Sequence, residues 1–160
     1  MEEFRWLVVI WRLPTGSSTP RVTVWRRLRR LGAVPLTPGA AVLPHRQDLH
    51  EQLDWIAEGV ADEGGDAWVL PVGSLPDAEE ARIVRQSKAD RAEEYRELEV
   101  DAQRLAGGGS DHDRARRALD RRLRKVVARD HFQAGGRKTA EAAVRRSASG
   151  RAVAARANRE

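Results

Sequence analysis

The first hydrophobic run, RWLVVIWRL over Arg5–Leu13, has no polar position between Trp6 and Trp11. A strand with one wet face alternates, so an unbroken run predicts a central strand buried on both sides. Its pleat sends Trp6, Val8 and Ile10 one way and Leu7, Val9 and Trp11 the other. Pro14 closes the strand, and TGSS (Thr15–Ser18) is a loop. The period then changes. Val24, Trp25, Leu28 and Leu31 lie on one stripe of a helix, with Thr19 as its cap, Pro20 as its first residue and Gly32 as its stop. AVPLTPGAAVLP predicts two short strands around the turn Thr37-Pro38-Gly39. A second helix starts at Gln47 or Asp48, with Leu49, Leu53, Ile56 and Val60 on one face, and Gly64-Gly65 stops it. DAWVLPV (Asp66–Val72) is a fourth strand.

The order β-α-β-β-α-β predicts an α+β fold: a ferredoxin-like antiparallel sheet with both helices on one face, followed by a C-terminal helical segment. The opposite face of the sheet then needs a cover, from the C-terminal helices or a second subunit. Beyond GSLPD the pattern is helical. Tyr95, Leu98, Ala102 and Leu105 form a narrow stripe on a helix over 77–105. After GGGSD (Gly107–Asp111), Ala115, Leu119, Leu123, Val126 and Val127 form another, with Ser110 or Asp111 as cap. The two make a helical hairpin, and QAGGRKTAEAAVRR adds a short helix. The expected division is 1–75 for the ferredoxin-like domain, 76–146 for the hairpin plus short helix, and 147–160 for a flexible basic tail.

Composition narrows the chemistry. The 160 residues contain no cysteine, which excludes disulfides, thiol catalysis and thiolate metal sites. The acidic start, Glu2-Glu3, is unlike a signal peptide, and no apolar run reaches the ~20 residues that span a bilayer. The expectation is a cytoplasmic protein with no membrane contact. Residues 1–75 hold 8 arginines against 9 acidic residues, so the net charge of +5 comes from the rest. That asymmetry suits a polyanionic partner, although an arginine-rich solvated helix has the same composition. Of the four histidines, His45 and His50 flank a helix start, and His112 with Asp111 and Asp113 forms a polar cap, so no metal site is expected. Glu51, Asp54 and Glu58 share a helix face without a nucleophile or oxyanion site, and no phosphate-loop or dinucleotide motif occurs. No catalysis and no cofactor are expected.

The stretch WLVVIWRLPTGSSTPRVTVWRRLRRLGAVPLTPGAAVLP resembles the opening of the ChrB family of chromate-resistance regulators: an apolar strand, a proline exit, the arginine helix ending L-G-A-V, then a strand ending V-L-P. EQLDWIAEGVADEGGDAWVL, ADRAEEYRELEVDAQRL and VARDHFQAGGRKTAEAAV continue the resemblance from about Trp6 to Val144. Full-length members carry a second, C-terminal domain, and the chain resembles the N-terminal domain alone. The first part is also similar to the ferredoxin-like domain of PaaX-type repressors and of small CRISPR-associated nucleases. Those nucleases hold a metal with an aspartate at the end of the first strand. Here that zone reads Trp11-Arg12-Leu13-Pro14, and a cation holds no magnesium ion.

The resemblance implies a transcriptional regulator that binds DNA and responds to chromate or a similar oxyanion. Arg12 at the strand exit and Arg21 in the first helical turn are the candidate anion pair, across the short loop. His45 and Arg46 lie at the far end of the neighbouring strand and do not join them. The candidate DNA contacts are Arg26, Arg27, Arg29 and Arg30 on the first helix, and on the later helix Arg121, Arg122, Arg124 and Lys125 within the basic run Arg114–Arg129. Without a helix-turn-helix pattern they would contact phosphates rather than bases. The competing expectation is that these cations pair with the glutamates of residues 79–99. The rival function is an interaction module that forms a homodimer through its sheet and docks a separate C-terminal-domain partner.

Overall fold

The computed structural model describes residues 3–16, 18–105 and 110–157. They form β1 (Trp6–Arg12), α1 (Ser18–Leu31), β2 (Val34–Thr37), β3 (Ala40–Pro44), α2 (Gln47–Asp62), β4 (Asp66–Val72), α3 (Asp77–Arg104), α4 (Ser110–Ala128) and α5 (Arg137–Ala157). The chain divides into two compact units, Met1–Ser87 and Lys88–Glu160, the division falling within α3.

The first unit is a mixed α+β unit built on a four-stranded antiparallel sheet of order β2-β3-β1-β4. The unbroken apolar run becomes a central strand, paired on both sides: Val9 faces Ala41 of β3 and Val69 of β4. Leu7, Val9 and Trp11 bury one face of β1 in a core with Val24 and Leu28 of α1 and Leu49, Leu53, Ile56 and Val60 of α2. The helical stripes seen in the sequence are the ones that pack, because the 3.6-residue period brings their members to one side. On the other face Trp6, Val8, Val34 and Val42 are buried, whereas Ile10, Trp68 and Leu70 stay exposed. Helix α1 begins one residue before the expected Thr19 cap, so Pro20 falls inside its first turn; Ser17 lies outside the described residues.

Glu80 ties the start of β1 to the first turns of α3. Its Oε1 accepts hydrogen bonds from Trp6 Nε1 at 2.8 Å and from the Leu75 amide at 3.1 Å, and Arg5 Nη2 lies 3.3 Å from Oε2. The Leu75 amide, then the Trp6 indole, then the Arg5 charge hold the Glu80 carboxyl below its ordinary value. A depressed carboxyl gives stability that is present above its unfolded pKa and lost as pH falls through the folded one. We therefore expect Glu80→Gln to flatten the acid limb of the stability curve below about pH 4.3. Urea unfolding across that range checks it.

The second unit is helical, and its core joins Tyr95, Leu98 and Ala102 of α3, Leu119 and Val126 of α4, and Ala140, Ala143 and Val144 of α5. The break Gly107–Asp111 falls largely outside the described residues; α4 begins at Ser110. The helical unit departs from two expectations. His112 is not a surface cap: it is buried, and its Nε2 donates to the Ser147 carbonyl at 3.1 Å. The hydrogen bond, made 35 residues away in sequence, has no local signal. Helix α5 is not short and runs to Ala157 through the segment expected to be a tail from Ser147. Eight alanines from Ala140 to Ala157 favour helix, and Ser147 Oγ donates to the Val144 carbonyl at 2.6 Å.

Tyr95 is almost wholly buried, and its hydroxyl donates to Asp130 Oδ2 at 3.0 Å; Asp130 Oδ1 accepts from the Ala134 amide at 2.9 Å. Burial first, then the Asp130 hydrogen bond and charge, push the phenol above its ordinary value of 10.0. A raised phenol means that the folded state keeps its proton where the unfolded chain loses it. The contribution is complete below about pH 10 and declines above it, by up to about 1.4 kcal/mol per pH unit. Tyr95→Phe is expected to cost about 1 kcal/mol near neutrality and to remove that alkaline decline. Urea unfolding by far-UV circular dichroism at the two pH values reads both effects.

Candidate anion cleft and arginine faces

Helix α1 crosses the exit of β1, and a cleft of about 450 Å³ opens there. Trp11, Arg12 and Leu13 line it from β1 and its exit, Arg21, Val22 and Trp25 from α1, and Pro38-Gly39 from the β2–β3 turn. The turn is held by Trp11 N–H donating to the Gly39 carbonyl at 2.8 Å. A methyl group on Gly39 would lie 2.8 Å from the Trp11 carbonyl oxygen, so the close approach of strand and turn requires glycine.

The structure places Arg12 and Arg21 on the same cleft. They are not equivalent. Arg12 pairs with Asp66, its register partner on β4, and its guanidinium is mostly exposed. Arg21 has no ion pair among the described residues. His45 lies at the other end of the sheet, its amide donating to the Arg5 carbonyl at 2.8 Å. Six residue steps along β1 separate that end from Arg12, about 20 Å at the rise of a strand. Arg46 is engaged with Asp48. Among the described residues no three histidine or acidic side chains gather as metal ligands.

Helix α1 contains no acidic residue. Arg26, Arg27, Arg29 and Arg30 are all exposed, and among the described residues none makes an ion pair. Arg29 and Arg30 stand in the last turn, where cations also complement the helix dipole. Arg27 lies over α2: a methyl group on Gly59 would meet its Nη1 at 3.1 Å. Beside it Trp55 is 63% exposed in a groove shared with Arg27, Arg30 and Gln52. Trp55 has no apolar period to mark it, and sequence reasoning passed over it.

The basic helix α4 divides. Arg122 is engaged with Asp101 at 2.6 Å and Arg116 with Asp120 at 3.0 Å. Arg129 reaches Glu94 at 2.7 Å, and Glu94 also takes Arg91 at 2.8 Å. Intramolecular pairing therefore accounts for part of this basic run. Arg121, Arg124 and Lys125 are exposed and have no ion pair among the described residues.

The family described as "Protein ChrB, N-terminal" matches residues 21–107, from Arg21 through α3. The chain belongs to the ChrB N-terminal family. Protein ChrB of Cupriavidus metallidurans is 36% identical to this family member over 113 residues, which are 71% of the chain and 34% of that protein. The chain thus spans about a third of the length of this curated relative. No solved structure matches it. The family match includes the arginines of α1 and begins after Arg12; α4 and α5 lie beyond it. Among the described residues no helix is long and apolar enough to cross a membrane.

Proposed function

We propose that this ChrB-family chain is a non-enzymatic, cytoplasmic part of a chromate-resistance regulator. It contacts DNA phosphates through the arginines of α1 and responds to chromate or a similar oxyanion held by Arg21 and Arg12. The observation that carries the reading is the α1 surface, where four adjacent guanidiniums, Arg26, Arg27, Arg29 and Arg30, face solvent without a carboxylate partner among the described residues. Four guanidiniums of like charge repel one another, and a phosphate backbone neutralises them with release of counterions. Arg121, Arg124 and Lys125 form a second set of the same kind. The sheet supports a ferredoxin-like reading: counted from the β4 edge its order is β4-β1-β3-β2, with α1 and α2 packed on one face, the split βαβ plan. Arg12 at the β1 exit, where an acid would be needed to hold a metal, supports the absence of nuclease chemistry.

A gel shift with operator-containing duplex, with and without chromate, tests the reading. A retarded band that fades at high salt and with added chromate is expected; no band at low salt sinks the DNA part. One observation favours the rival module. Ile10, Trp68 and Leu70 share one face of β1 and β4 and are exposed, a surface suited to a second copy or a separate C-terminal-domain partner. Light scattering separates the two: a dimer without DNA affinity supports the rival.

A further inference from the structure

The cleft at the exit of β1 has a size and a lining that a bare tetrahedral ion does not use. Its volume is about 450 Å³, within the range of about 300–1,000 Å³ that organic ligands occupy. A tetrahedral oxyanion takes the space of roughly two or three waters at about 30 Å³ each. Among the described residues Arg12 and Arg21 are the only charged ones lining the cleft, and Trp11, Val22, Trp25 and Pro38 make most of the remainder apolar. Val22 is 51% exposed, an apolar side chain left to water beside an arginine without a carboxylate. Trp25 packs against the core and also lines the cleft.

We propose that this cleft binds an organic oxyanion with a phosphate-type head and a flat aromatic body, the class of a nucleoside monophosphate. The inference rests on the oxyanion reading of the same two arginines and adds the body. A guanidinium fork matches two phosphate oxygens at once. Arg21 carries most of this work, because Arg12 shares its charge with Asp66. Trp11 is only 8% exposed, so the partly buried Trp25 offers the indole surface on which a flat ring stacks. The ring displaces water that the tryptophan, valine and proline walls cannot hydrogen-bond, whereas a bare ion leaves that water in place.

Isothermal titration calorimetry of the whole chain with adenosine monophosphate, inorganic phosphate and adenosine tests it. The nucleotide is expected to bind at least ~10-fold more tightly than phosphate or adenosine, since only it uses both the guanidiniums and the apolar wall. Arg21→Gln is expected to weaken the nucleotide ~10-fold or more. Val22→Glu, at an exposed position, puts a carboxylate into the lining and is expected to do the same; circular dichroism checks that both variants fold. If phosphate binds as tightly as the nucleotide, the cleft is a bare oxyanion site: the earlier reading survives and this one falls. If nothing binds, both fall. Nucleotide binding that both variants leave unchanged lies elsewhere and overturns the proposal.

Discussion

Gly65→Ala is expected to lower the stability of the sheet unit by about 3 kcal/mol, while Gly73→Ala changes it by no more than about 0.5 kcal/mol. A methyl group on Gly65 would overlap the Arg12 carbonyl oxygen and lie 2.9 Å from Val60 Cγ1 and 3.1 Å from Leu13 Cδ2. The Arg12 oxygen belongs to the backbone of the central strand and cannot rotate away. Arg12 also pairs with Asp66, the residue after Gly65, at the end of the β1–β4 ladder. Relief of the clash therefore moves that end of β1, where Trp11 and Leu13 enter the core. Among the described residues a methyl group on Gly73 meets only the Glu3 carbonyl oxygen, at an ordinary 3.8 Å. All five tryptophans, Trp6, Trp11, Trp25, Trp55 and Trp68, belong to the first unit. Tryptophan fluorescence thus follows its urea unfolding without a contribution from tryptophan in the helical unit. With a slope of about 1–3 kcal/mol per molar urea, the midpoint falls by roughly 1–3 M for Gly65→Ala. An unchanged midpoint would show that β1 and the α2–β4 turn are not held this close.

The same pair of glycines shows where sequence reasoning stops. Gly64-Gly65 is visible as a helix stop, and Gly64 does have the positive φ, +78°, of such a residue. Gly65 is there for another reason, the approach of a strand more than 50 residues earlier, which no local pattern announces. The apolar periods of α1 and α2 are legible because burial on one face leaves a 3.6-residue trace, and β1 is legible because Leu7, Val9 and Trp11 are buried on one face and Trp6 and Val8 on the other, which removes alternation up to the exposed Ile10. The second unit is harder to read. Its core contains Ala134, Ala140 and Ala143, too small to form a visible stripe, and His112, whose buried partner is a backbone carbonyl. Among candidate site residues, Arg12 and Arg21 meet at one cleft because a strand exit and the next helix's first turn are joined by a short loop. What the sequence hides is pairing: nothing in RRLRK separates Arg122, engaged with Asp101, from Arg121 and Arg124.

Replacing Arg26, Arg27, Arg29 and Arg30 together by glutamine is expected to remove most of the salt dependence of DNA binding. Each phosphate contact adds about 0.9 to the slope of log affinity against log salt, so four contacts add about 3.6, or about 10²-fold between about 50 and 200 mM salt. The substitution leaves the scaffold in place. All four side chains are exposed, glutamine is nearly as good a helix former as arginine, and the lost complement to the helix dipole at Arg29 and Arg30 costs about 0.3–1 kcal/mol each. Fluorescence anisotropy with a labelled duplex at several salt concentrations reads the slope directly. Arg121, Arg124 and Lys125 replaced by glutamine provide the comparison on α4. If α4 made the contacts, that variant would lose about 2.7 of the slope and the α1 variant would keep it. A slope that neither variant moves would place both arginine sets on solvated faces, because a contact that releases no counterion contributes nothing to the salt dependence.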